Sequence, residues 1–332
     1  MNQFKIFLLV SFFISFSVYS QKKLIAFSSD ATKNDKQQIF IMDENGDSVK
    51  QVAFMNLGCY SPKFSPDGKR IIFVAKTELS DFLYMVNLED SSTFRFPVFI
   101  DGGSDPVFSP DGNYLMYRSE KEEDNAIYIT DLSSSESYSV SDGSMSMFAE
   151  FSPDGNRILY SSSMEQNFDL VILDLTDTTD KAQKTIISTK DAELQGTFSP
   201  DGMHIAFSSF NINYKGTLKI CDSKGSNCKS VTSGGSAYNP KFSPDGTHLA
   251  FVWDKTGNFE LYICDVNGSG IKQLTSKKEN TIEYDWSGDG SKIVYESIGE
   301  GVSSITVLDI NSGSRENLTG SKANNVNPSL QK

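Results

Sequence analysis

Short apolar runs recur along the chain at even spacing, each bounded by turn residues. One set reads Ile71-Ile72-Phe73-Val74, Tyr114-Leu115-Met116-Tyr117, Ile158-Leu159-Tyr160, Ile205-Ala206-Phe207, Leu249-Ala250-Phe251 and Ile293-Val294-Tyr295. A second set follows each of these, among them Leu83-Tyr84-Met85-Val86, Leu170-Val171-Ile172-Leu173 and Leu261-Tyr262-Ile263-Cys264. The runs are too short for helices and rich in β-branched and aromatic residues, so they predict strands. No helical period is visible after residue 22.

Between the runs stands a fixed phrase. Phe-Ser-Pro-Asp-Gly begins at Phe64, Phe108, Phe151, Phe198 and Phe242, and a sixth copy at Trp286 reads Trp-Ser-Gly-Asp-Gly. Pro presets φ for the second turn position, Asp can bond the backbone ahead of it, and Gly takes positive φ, so each copy predicts a tight hairpin turn. The period of about 44 residues is that of a four-stranded propeller blade. Full repeats start near residues 60, 104, 147, 194, 238 and 282. Leu24-Ile25-Ala26-Phe27 and Ile39-Phe40-Ile41-Met42 match the second and third strands of a blade that lacks its first, and Asn327-Pro328-Ser329-Leu330 matches a first strand that stops. The expectation is one all-β domain over residues 24–330. It is a seven-bladed β-propeller of antiparallel four-stranded blades. Residues 24–56 and 326–330 share the split blade, so the C-terminal strand closes the ring and removes open sheet edges.

Composition adds a compartment. Lys5 followed by apolar Phe7 to Val18 reads as a signal peptide over residues 1–20, with cleavage after Ser20. A run of about a dozen apolar residues is short for a membrane span. The chain is expected to be periplasmic or secreted and not membrane-spanning once cleaved. The net charge is −13, and the leader holds a single lysine, so the mature chain is equally acidic and ill suited to nucleic acid.

A two-residue loop at Lys224-Gly225 would set Cys221 opposite Cys228 and permit a disulfide in an exported chain; a different turn length would leave both as thiols. Cys59 and Cys264 are expected as buried, unpaired thiols.

The stretch Pro62–Phe73, echoed at Pro240–Phe251, resembles the WD-like repeat of the periplasmic TolB family, and six copies in register extend the resemblance over essentially the whole mature chain. It implies a propeller with binding or scaffold duties; TolB propellers bind a peptidoglycan-associated outer-membrane lipoprotein and support envelope integrity. TolB proteins carry an α/β domain ahead of six blades, so this chain reads as a stand-alone relative. Similar repeats occur in prolyl-oligopeptidase-type peptidases, whose hydrolase domain carries Gly-x-Ser-x-Gly; that motif is absent here.

Catalytic candidates are few. His204 and His248 are the only histidines, and both fall two residues past a turn glycine, an expected solvent-facing position. No Ser–His–Asp or histidine-rich metal constellation can be assembled from them. Asp43-Glu44-Asn45-Gly46-Asp47 resembles part of a calcium loop but coincides with an expected hairpin turn. No catalytic residue, metal or cofactor is therefore assigned.

Binding is expected on the face carrying the second-to-third-strand loops, such as Lys76–Asp81, Glu120–Asn125, Phe210–Gly216 and Ile298–Val302, which vary between blades. Residues entering the first strands should ring the channel mouth there: Tyr60, Asp105, Phe148, Gln195, Tyr238, Asn239, Glu283 and Tyr284. The reading is a non-catalytic scaffold that binds an envelope protein or peptide. The alternative is a carbohydrate-binding or carbohydrate-active propeller, a lyase or hydrolase using carboxylates such as Asp105 and Glu283 for a glycan.

Overall fold

The computed structural model describes residues 23–32, 35–96, 102–119, 125–141, 144–163, 167–176, 184–276, 279–299, 301–320 and 322–332. The leader 1–20 and parts of the loops at 120–124, 164–166 and 300 lie outside them. Among the described residues the chain forms seven four-stranded antiparallel sheets, the blades of a propeller. Six blades use consecutive strands. The seventh places Asn325–Leu330 beside Leu24–Ser29, with Ile25 opposite Leu330 and Ser29 opposite Asn325.

The core lies between neighbouring blades rather than within any one of them. Phe27, Phe73, Tyr117, Tyr160, Phe207, Phe251 and Tyr295 recur at one position of the second strand and are all almost fully buried. Each joins a cluster drawn from two adjacent blades; Ala206 and Leu218 of one blade, for example, pack with Phe251 and Trp253 of the next. A blade cannot bury this face alone, which is why the repeat has to close on itself.

The hairpin turns are built alike. Ser65 Oγ donates to Asp67 at 2.5 Å and accepts the Arg70 amide at 3.0 Å, while Gly68 has φ 68°. Ser109–Asp111, Ser152–Asp154, Ser199–Asp201, Ser243–Asp245 and Ser287–Asp289 repeat this pairing at 2.5 to 2.7 Å. The recurring Asp is thus spent on turn formation. Asp43 behaves likewise: its carboxylate takes the amides of Asn45 and Asp47. His204 and His248 start the second strands of their blades and are half-buried rather than fully solvent-facing.

The pairs Val231-Thr232, Leu274-Thr275 and Leu318-Thr319 fall just beyond the fourth strands, which end at Ser230, Gln273 and Asn317. Their threonine hydroxyls accept the amides of Leu218, Leu261 and Ile305 at 2.8 to 2.9 Å, doing what a strand carbonyl would.

Lys219 pairs with Ser230 and Ile220 with Lys229, and the next step sets Cys221 against Cys228 in a disulfide with Cα atoms 4.0 Å apart. Cys59 and Cys264 are buried free thiols, each pushed up to about 12 by burial. Replacing both Cys221 and Cys228 by Ser should cost about 2 kcal/mol, the loop-closure value for so short a ring. Urea unfolding with and without reductant measures it; an unchanged midpoint in both variant and reduced protein would refute it.

Candidate functional site

Every blade's innermost strand carries an irregularity that decides what reaches the central channel. Tyr60 pairs with Val74 and Lys63 with Ile72, so Ser61 and Pro62 together face the single residue Phe73. The same register shift occurs in all six other blades. It is a β-bulge, with the extra residue left-handed at Ser61, Asp105, Phe148, Gln195, Asn239 and Asn327, φ 49° to 57°. Asn and Asp tolerate this conformation; Phe148 occupies it under strain. At the equivalent position Glu283 is not left-handed, and the shift there lies between Thr281 and Tyr284.

The eight residues expected at the channel mouth divide by this geometry. Asp105, Phe148, Gln195 and Asn239 are the bulge residues themselves. Asp105 binds Arg118 at 3.1 Å, and Gln195 Oε1 accepts the Asn239 amide at 2.8 Å across the blade boundary. Tyr60 donates to Asp81 at 2.5 Å beneath the Lys76 ammonium. Tyr238 stands between Phe210 and Phe259, ring centroids 5.5 and 5.6 Å away. Glu283 is half-buried near Tyr284 and Lys241. Tyr284 is buried: its hydroxyl lies 2.6 and 2.8 Å from the carbonyls of Asn239 and Ala250, which share its one proton, so it braces the wall and presents nothing to a ligand.

None of the eight lines the large central cavity. That space, about 960 Å³, is a funnel on the opposite face, framed by the hairpin-turn residues Pro66, Pro110, Pro153, Pro200, Pro244 and Gly288. The residue just before the closing aromatic of each innermost strand, or before Leu330 in the split blade, lines it: Lys63, Val107, Glu150, Thr197, Lys241, Asp285 and Ser329. Aligning the repeats on their phenylalanine exposes this column; counting alternation from the strand start misses it, because the bulge shifts the phase.

The column is electrostatically mixed. Burial holds the Glu150 carboxyl up at about 7, against the opposing pull of the Phe198 amide and Thr197 hydroxyl, each 3.1 Å from Oε1. Burial likewise lowers Lys241, whose ammonium donates to the Tyr284 carbonyl at 2.6 Å and lies 5.0 Å from its ring centroid. Burial opposes ionisation of Asp285, but the ammoniums of Lys332, Lys241 and Lys63 and the Leu330 amide outweigh it, and its pKa falls below the usual range.

The variable-loop face has a different character. Of fourteen exposed large hydrophobic side chains among the described residues, nine lie on it: Phe54, Leu57, Leu79, Met145, Phe148, Ile212, Tyr214, Phe259 and Ile282. Leu79, Ile212 and Tyr214 are 94%, 91% and 85% exposed. The other five are Val49, Phe94, Tyr138, Met203 and Ile271.

Comparison with known proteins places this architecture. The TolB beta propeller domain matches residues 1–183 and 172–332. The Tol-Pal system protein TolB of Xylella fastidiosa is 34% identical over 70 residues, which is 21% of this chain and 16% of that protein. The crystal structure of TolB from Acinetobacter baumannii superposes with a TM-score of 0.61 at 20% identity, covering 93% of this chain and 66% of TolB. An oligogalacturonate lyase solved in complex with manganese gives 0.66 at 16% identity, covering 89% of this chain and 85% of the lyase. The chain thus spans a small part of the curated relative and just under two thirds of the Acinetobacter structure, and at these identities the structural likenesses establish the fold alone. With the repeat signature matched across both halves of the chain, this protein belongs to the TolB β-propeller domain family.

Proposed function

We propose that the protein is a non-catalytic propeller of the cell envelope, periplasmic or secreted, that binds a protein or peptide partner through its variable-loop face. The observation that carries this reading is the gathering of nine exposed apolar side chains on that face. Protein interfaces are anchored by aromatic and large apolar residues set among polar ones, and the Phe210–Tyr238–Phe259 run with Tyr214 and Ile282 nearby in neighbouring blades supplies such anchors. Strained Phe148 fits the same role, since a bulky left-handed residue is retained against its own conformational cost.

The carbohydrate-active alternative finds a more suitable carboxylate pair in Glu150 and Asp285, which share the funnel, than in Asp105, which is tied to Arg118. Both funnel carboxylates, however, already accept protein donors.

In-cell crosslinking of the tagged protein, followed by mass spectrometry, tests the proposal. One dominant envelope protein should be recovered from the wild type. It should be lost from the Ile212→Ser/Tyr214→Ser double variant and reduced in Tyr238→Ala/Glu283→Ala. Phe148→Asn should also lose it while gaining about 1 kcal/mol of stability from relief of the left-handed aromatic. Equal recovery from all variants would sink the assignment.

A further inference from the structure

The funnel on the hairpin-turn face presents donors that the fold does not use. Lys63 projects from the innermost strand Cys59–Phe64 into it, and among the described residues no hydrogen bond or salt bridge engages its ammonium. Lys241 projects from Ala237–Phe242, spends one N–H on the Tyr284 carbonyl and keeps two. Lys332 also lines the space, its ammonium 4.0 Å from Asp285. Lys23 lines it too, and so do four carboxylates, of which Glu44 is paired with Lys292 and Asp289 is closed into its turn, leaving Glu150 and Asp285 nearest these ammoniums. The carboxylates do not satisfy the free donors: Asp285 takes the amides of Trp286 and Leu330, each at 3.0 Å, and Glu150 takes Phe198 and Thr197.

Much of the remaining wall is apolar. Phe64, Phe108, Trp286 and the turn prolines form that apolar part. The polar groups nearest the rim, the turn serines, are closed on their own Asp side chains and amides, so they offer little to the hydroxyls of a sugar. Ammoniums beside apolar side chains favour a carboxylate over a diffuse polar ligand, because a charge-assisted bond is stronger than one between neutral groups.

We propose that this funnel is a second binding site, which takes a peptide carboxylate, from a C-terminus or an acidic side chain, carried beside an apolar residue and held by Lys63 and Lys241. It lies on the opposite face from the apolar loops and stands independently of the partner assigned to them.

Calorimetric titration of the full chain with N-acetyl-Leu-Phe acid and with its C-terminal amide tests it, with Trp286 fluorescence as a second readout. The acid should bind about tenfold tighter than the amide, the worth of one charge-assisted pair. Lys63→Met should erase that preference and Lys63→Arg retain it, with both variants still unfolding cooperatively; Lys63→Met should melt slightly lower, because its ammonium helps to hold Asp285 ionised. Equal affinity for acid and amide, or an unaltered preference in Lys63→Met, would overturn the proposal. So would tighter binding of trigalacturonate, which would make the site one for acidic sugars. Full competition by inorganic phosphate would reduce it to a general anion site and remove the apolar requirement. Because no variant touches the loop face, loss of this site and loss of the crosslinked partner are separable results.

Discussion

Deletion of residues 325–332 is expected to abolish the cooperative unfolding transition. The strand Asn325–Leu330 is the only one among the described residues that joins the two ends of the chain, and its contacts reach three blades. It pairs with Leu24–Ser29, and Leu330 packs with Ile25, Phe27 and Met42 of its own blade and with Val294 and Ile305 of the preceding one. The Leu330 amide binds Asp285 at 3.0 Å, and Gln331 Nε2 reaches the Gly68 carbonyl of the following blade at 3.0 Å. Asn324, just outside the deletion, binds Asp30 at 2.7 and 2.9 Å and would lose its anchor on the closing strand. Removing this strand exposes the interblade cluster that holds Leu330 and leaves Leu24–Ser29 as a bare hydrogen-bonding edge. The buried apolar area alone is worth about 5 kcal/mol, comparable to the whole stability of many domains. Circular dichroism melting and size-exclusion chromatography decide the matter. The truncated protein should melt broadly and elute as aggregate, whereas a sharp transition within a few degrees of wild type would show the ring is held by interblade packing alone.

Glu150→Gln should be neutral near pH 5 and stabilising near pH 8. In the folded protein burial raises the Glu150 carboxyl from its ordinary 4.5 to about 7. A raised carboxyl means that the folded state holds the proton more tightly than the unfolded one. The stability it confers is fully present below about 4.5 and is lost as pH rises through about 7. Above that, the ionised group costs the fold up to about 3 kcal/mol, less where channel water reaches it. Glutamine mimics the protonated form at every pH and keeps the acceptor oxygen that Phe198 and Thr197 use. Urea unfolding of both proteins at the two pH values checks the sign. A difference that does not change with pH would mean that Glu150 is not the titrating group. The turn aspartates act oppositely: their carboxyls are held low by serine and backbone donors, so their share of stability is lost only in acid.

Much of this molecule was legible because repetition makes local chemistry redundant. Phe-Ser-Pro-Asp-Gly specifies its turn from five adjacent residues, and six copies fix the blade period however weak any single strand signal is. The split blade followed from matching Leu24–Phe27 and Asn327–Leu330 to the halves of one repeat. The site was less legible for a definite reason. Pro62, Pro106 and Pro240 sit in the bulges of their strands, where the missing amide costs nothing, but nothing in the sequence announces that the preceding residue turns left-handed. That one-residue insertion reassigns which side chains reach the channel axis. Lys63 and Glu150, rather than Tyr60 and Phe148, therefore line the funnel. Tyr284 shows the same limit: at a position where other blades carry Pro, Ala or Gly, its ring turns into the interblade layer, which only the packed structure reveals.

The closing strand also sets an order of events. Within six blades the pairing partners are near neighbours in sequence, so each can form as its own stretch of chain becomes available. The seventh joins residues 307 apart, at a loop-closure cost of about 5 kcal/mol that no contact repays until the ring shuts. Until that strand docks, the ring is open at an unoccupied inner place, which the same strand of a second molecule would match in sequence. Dilution during refolding favours self-closure and monomers; concentration favours exchange of that strand between chains.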